Sequence, residues 1–150
     1  MTPVLKIGNA RWLQFVEIQA AVGFFARKLK GFQRRKVYIQ IDLIKGLLKK
    51  EHARGMAFQN SDNGYVIRLD NRLKPLAMLS CLAHEMIHVN QWLTGKMVDI
   101  NRRNKVKWGS KVYSMPMSYS KHPWEKEAYR NDRKLAQSFV DFYTSGWRKR

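Results

Sequence analysis

Between Pro75 and Gly95 lies a stretch whose apolar residues leave almost no side of a helix for water. Leu79, Leu82, Ala83, Met86, Ile87 and Val89 surround the axis. A helix that is apolar all round belongs inside a protein, so the other elements must pack about it. Pro75 suits a first helical turn, where its missing N–H has no partner to lose, and Gly95 suits the stop. The pattern predicts a helix over 74–94. Three residues go against its burial: His84, Glu85 and His88 each bring a polar group that costs free energy inside unless it is partnered.

The spacing of those three residues suggests the partner. His84 and His88 are four apart and share one helix face. Two ring nitrogens so placed reach a single ion at about 2.0–2.1 Å. Glu85 is rotated off that line, where it can take a proton from a water instead of binding the ion. The expected cofactor is Zn2+. A catalytic zinc takes a third protein ligand and keeps one position open, whereas a structural site is closed by a fourth. Third-ligand candidates lie in His122-Pro123-Trp124-Glu125-Lys126-Glu127-Ala128-Tyr129. Glu125 and Glu127 are two apart on a helix and point to nearly opposite sides, so only one can face the ion. His122 and Tyr129 both share a face with Glu125. On spacing alone Glu125, Glu127 and His122 all stay open.

The run Leu82-Ala83-His84-Glu85-Met86-Ile87-His88-Val89-Asn90-Gln91, followed by Pro123-Trp124-Glu125-Lys126-Glu127-Ala128, resembles the small SprT-like and phage-encoded metallopeptidases. It is similar, more distantly, to the ImmA/IrrE and HtpX-like glutamate zincins. The resemblance covers roughly residues 55–140 and its specificity rests on the two motifs. It implies a zincin-like fold, peptide hydrolysis, and His84, His88 and Glu125 as zinc ligands with Glu85 as the catalytic base. In the glutamate zincins the ligand is the Glu of Glu-x-x-Ala-Asp/Asn, which falls on Glu125, and this chain departs from the pattern at Tyr129. SprT and Spartan use a third histidine, a part His122 would take here.

Charge points to a second property. The chain has 29 Lys and Arg against 11 Asp and Glu, a formal +18. Such an excess attracts polyanions. Cations cluster at 27–36, including Arg34, Arg35 and Lys36, and at 102–111, including Arg102, Arg103, Lys105 and Lys107. Trp108 and Tyr113 interleave the second cluster as base-stacking residues do. We expect contact with DNA or another polyanion through phosphate neutralisation, beside a protein or peptide substrate. One cysteine, Cys81, permits no disulfide within the chain and fits a reducing, cytoplasmic setting; it reads as a buried, inert thiol. Trp12 to Ala26 is apolar-rich but is interrupted by Gln14, Glu17 and Gln19, and no membrane partner is expected.

At 150 residues one domain is expected, with 45% hydrophobic residues and five Trp to fill its core. The remaining pattern reads as a helix over 10–30, a strand over 37–41 and a short helix or loop over 43–50. A hairpin of strands 55–59 and 65–69 turns about Asn60-Ser61-Asp62-Asn63-Gly64; an irregular hairpin over 97–115 and a helix over 123–143 follow. That order predicts an α+β domain without alternating βαβ units. It would be a minimal zincin-like domain: a small antiparallel or mixed sheet on the helix 74–94, with Tyr65–Leu69 as the edge strand beside the cleft. Tyr129, ahead of Tyr113 and Tyr119, is the expected donor to an oxyanion. Gln91, three past His88, is read either as a contact to ligand or substrate or as a plain capping residue. Two other functions fit the same residues: a nucleic-acid-binding protein whose zinc only ties two helices together, and a zincin fold that recognises a host partner without cutting it.

Overall fold

A computed structural model describes residues 2–100, 105–114 and 122–148, the last three as backbone alone. Strand β1 (Val4–Gly8) leads into helix α1 (Trp12–Lys28) and a 3-10 turn (Lys30–Gln33). Strand β2 (Tyr38–Ile44), the short helix α2 (Leu47–Glu51), and strands β3 (Gly55–Gln59) and β4 (Gly64–Asp70) follow. Then come the central helix α3 (Pro75–Leu93), strands β5 (Met97–Ile100), β6 (Lys105–Trp108) and β7 (Lys111–Ser114), and helix α4 (Pro123–Arg148). The architecture is α+β. No helix among the described residues is long and apolar enough to cross a membrane.

The larger sheet has the order β1-β2-β4-β3, with β1, β2 and β4 parallel and β3 antiparallel to β4. Alternation sorts its two faces. Ile39, Ile41 and Leu43 of β2 and Tyr65, Ile67 and Leu69 of β4 point inward and are fully buried. On the inner side Ile18, Ala21, Val22 and Phe25 of α1, spaced as one helical stripe, join the same core as Met78, Leu82, Met86 and Val89 of α3. Each fully buried side chain of the larger kind contributes about 1.5–3 kcal/mol. This apolar sum, and not the two histidines, places α3 at the centre. Helix α4 packs against α3 and also touches α1. Strands β5, β6 and β7 form a separate antiparallel sheet whose Met97 and Val106 meet Trp124 of α4 in a small second core.

Three expectations need correction. Strand β1 was not foreseen: four residues of Val4-Leu5-Lys6-Ile7 with no turn signal ahead of them are too little pattern to read. With it, β1, α1 and β2 make one parallel βαβ unit, so such units are not wholly absent. Tyr65–Leu69 is not an edge, because β4 pairs with β2 on one side and β3 on the other. Alternating burial reports one covered face and cannot tell an inner strand from an outer one; the edges are β1 and β3. The stretch over 97–115 holds three short strands instead of one irregular hairpin.

Close approaches fix α3 against its neighbours. Gly31 donates its N–H to Asn90 Oδ1 at 2.8 Å, two residues beyond His88. A Cβ at Gly31 would stand 2.7 Å from Leu93 Cβ and 2.8 Å from Asn90 Oδ1, so a side chain there drives the end of α1 off α3. Gly55 of β3 is equally tight, with Cys81 Sγ 2.8 Å from the position of a Cβ. Overpacking of this kind costs about 1–3 kcal/mol, and Gly31→Ala should lower unfolding stability by that amount. Urea unfolding of the variant checks it; stability equal to that of the unchanged chain would contradict the contact.

Candidate metal centre

The site is made where α4 crosses α3. Helix α4 opens with Pro123 in its first turn, and the His122 carbonyl accepts the N–H groups of Glu125 and Lys126. Glu125, Tyr129 and Asp132 then fall at i, i+4 and i+7, on the face turned to α3. From α3, His84 and His88 face them. His84 Nε2 lies 2.9 Å from Glu125 Oε1, His88 Nε2 lies 2.7 Å from the same oxygen, and the two nitrogens are 3.2 Å apart. All three residues are buried, at 7%, 6% and 2% exposure.

The other ring nitrogens decide what these contacts mean. Asp132 Oδ2 stands 3.0 Å from His84 Nδ1, and a carboxylate there can only accept, so Nδ1 carries the proton. Gln91 performs the same task for His88. Its Nε2 donates to the Trp124 carbonyl at 3.0 Å and to Glu127 Oε1 at 3.2 Å, which turns its Oε1 to His88 Nδ1 at 2.8 Å. With both Nδ1 atoms donating, the neutral rings present bare Nε2 lone pairs to each other and to a carboxylate oxygen. Three acceptors converging in a buried space repel unless a cation lies among them.

Protons or a metal ion can be that cation. Without metal, burial works against a charged His84. The hydrogen bond it donates to Glu125, the Glu85 charge and the hydrogen bond to Asp132 outweigh it, and its pKa is pushed up to about 9. His88 is raised too: burial again opposes, and Glu125 and Glu85 prevail. Glu85 is buried at the same place, one ligand atom from each of Glu85, His84 and His88 lying within 4.8 Å of the others. Burial lifts its pKa above the usual carboxylate range, the histidines pull it back and Glu125 adds to the rise. A metal fits this donor set. Two imidazoles and a carboxylate are zinc ligands, and a tetrahedral set at about 2.0–2.1 Å would hold its donor atoms about 3.3 Å apart, a few tenths wider than here.

Of the three candidates for third ligand, Glu125 is the one brought against both histidines. Glu127 points away, paired with Lys96, whose Nζ also sits 4.6 Å from the Trp108 ring centroid. His122 is buried and stacks on Trp124 at 4.5 Å, and burial lowers its pKa although Glu125 raises it. Tyr129 is 57% exposed, with its ring 4.6 Å from that of His84. Tyr113 packs on Trp124 instead, and Tyr119 lies outside the described residues. The Cys81 thiol is pushed up to about 12 by burial and by Glu85, which leaves it unreactive. Asp132 was missed from the sequence; its signal was the seven-residue step from Glu125.

The expected phosphate contacts are scattered. Arg34, Arg35 and Lys36 are exposed before β2, but Arg35 is engaged with the Leu93 carbonyl at 3.2 Å and Asn63 Oδ1 at 3.3 Å. Lys105 is half-buried and Lys107 exposed on β6, while Arg102 and Arg103 lie outside the described residues. Trp108 and Tyr113, read as stacking residues, pack against Trp124 at 6.4 and 5.7 Å in the second core.

If Asp132 and Gln91 hold the ring nitrogens in place for an ion, Asp132→Asn and Gln91→Ala should each weaken zinc binding by about 10–100-fold. Competition against a chromophoric chelator measures this. Unchanged affinity in both variants would remove the orienting role.

Compared with protein-family models, with curated proteins and with solved structures, the chain finds no match, and the reading of the site therefore stands on its own residues.

Proposed function

We propose that the protein is a zinc-dependent peptidase, brought to nucleic-acid-associated proteins by its positive charge. The observation that carries the reading is the meeting of His84 Nε2, His88 Nε2 and Glu125 Oε1, with the Glu85 carboxyl buried beside them. His84, His88 and Glu125 would hold the zinc. The bound ion would supply Lewis acidity, acidifying a water and polarising a carbonyl oxygen. Glu85, buried beside the two histidines, would remove the proton from the attacking water. It then returns that proton to the leaving amine nitrogen. Tyr129, exposed beside His84, offers its hydroxyl to the oxygen that gains negative charge. An extended peptide adds to the free edge of β3, the edge strand held against α3 at Gly55 and Cys81, through main-chain hydrogen bonds. The likeness to SprT-like peptidases in the two motifs supports the same chemistry.

One observation favours a second reading. The three candidate donors are almost wholly buried between two helices, as they would be if zinc served only to tie α3 to α4. Glu85→Gln separates the two. It keeps the shape and the ligands but removes the base, so zinc content should remain near one per chain. Cleavage of an unfolded protein should fall by about 100-fold or more. Activity that survives the substitution overturns the mechanism. A zinc-loaded wild type that cuts no unfolded or DNA-bound protein, itself included, establishes the tie between helices instead.

A further inference from the structure

The outer face of the larger sheet carries no helix along most of its length. Residues alternating with the buried set point outward there, and two of them are aromatic: Tyr38 of β2, 49% exposed, and Phe58 of β3, 39% exposed. Large rings on an open sheet face lose apolar stabilisation to water and need a partner to explain them. Each has a cation over one face of its ring. Lys36 Nζ is 5.7 Å from the Tyr38 ring centroid, and the Arg68 guanidinium carbon is 5.2 Å from that of Phe58. Lys6 of β1 is exposed on the same face, in register with Gln40.

Acids are almost excluded. Asp42 receives the Gln40 amide at 3.0 Å, and Asp70, at the end closed by α2, accepts the N–H groups of Leu48 and Arg72. Among the described residues none of Lys6, Lys36 and Arg68 is in an ion pair. The face is therefore positive, flat and aromatic. Two strand spacings and a two-residue offset put the rings about 12 Å apart, too far for one base and suited to separate bases of one strand. Paired bases in a duplex hide their faces from such rings, whereas unpaired bases stack on them whatever their sequence.

From this we infer that the outer face, through Tyr38 and Phe58 with Lys36, Arg68 and Lys6, binds single-stranded DNA. Val66 of β4 lies between the rings, Val4 of β1 flanks Tyr38 on its other side, and the Gln40 amide is turned to Asp42. That leaves little to recognise a 2′-hydroxyl, which favours DNA over RNA. The inference rests on the nucleic-acid part of the proposed function and gives it a surface. That surface lies on the far side of the sheet from the histidine pair, so a bound strand does not touch the site.

The test uses the full, zinc-loaded chain and fluorescence anisotropy of a labelled oligothymidylate, the equivalent duplex and an oligouridylate at low salt. The single DNA strand should bind more tightly than the other two. Tyr38→Thr and Phe58→Thr, which put a strand-favouring β-branched residue at an exposed position, should each weaken it by about 10-fold or more. Tyr38→Phe should bind as the wild type does, which guards against a mere loss of folding. Weak binding of every probe would sink the nucleic-acid reading as a whole. Duplex or RNA bound as tightly as the single DNA strand would overturn this inference alone. So would single-strand affinity untouched in both threonine variants.

Discussion

Two imidazole nitrogens and a carboxylate oxygen crowded within 2.7–3.2 Å of one another set the terms for the rest of the molecule. Such a group is stable inside a protein only around positive charge, and only if its members cannot swing apart. Apolar burial places α3, but it says little about rotation, since α3 is apolar on nearly every side. The polar network fixes that rotation. Asp132 and Gln91 lock the rings from α4 and α3, and Gln91 is itself held by Trp124 and Glu127. Glu127 is anchored to Lys96, so the short strands after α3 and the start of α4 are coupled to the orientation of His88.

The sequence made much of this visible, for physical reasons. Pro75, Gly95 and an all-round apolar pattern bounded α3 correctly because a buried helix has no competing interpretation at that length. His84, Glu85 and His88 stood out as polar groups in a place that must be dry. The hairpin about 60–64 announced itself through turn formers. Long-range facts were another matter. Which strand lies at an edge depends on pairing partners, and β1 was too short to read. Glu125 could be separated from Glu127 and His122 only by seeing which met both histidines. Trp108 and Tyr113 looked like stacking residues among cations because composition cannot show that Trp124 lies beneath them.

Charge had the same ambiguity. A net +18 names a class of partner without naming a surface, and the runs obvious along the chain include residues such as Arg35 that are engaged with the backbone. The sheet's outer face gathers Lys6, Lys36 and Arg68 from three separate segments and sets them beside exposed rings. No window of sequence contains that arrangement. It follows from parallel β1–β2–β4 pairing and from an outer face that only α2 meets, at one end.

The central claim is that the crowded donors exist to hold one zinc ion with a position left for water. X-ray absorption at the zinc edge of the metal-loaded protein addresses it directly. The account predicts one zinc per chain, with two imidazole nitrogens and two oxygens at about 2.0–2.2 Å and no sulfur. One oxygen, from Glu125, should disappear from the first shell or change character in Glu125→Ala, while both imidazoles stay. Failure to retain zinc, or a shell closed by a fourth protein ligand such as the His122 imidazole, would contradict it.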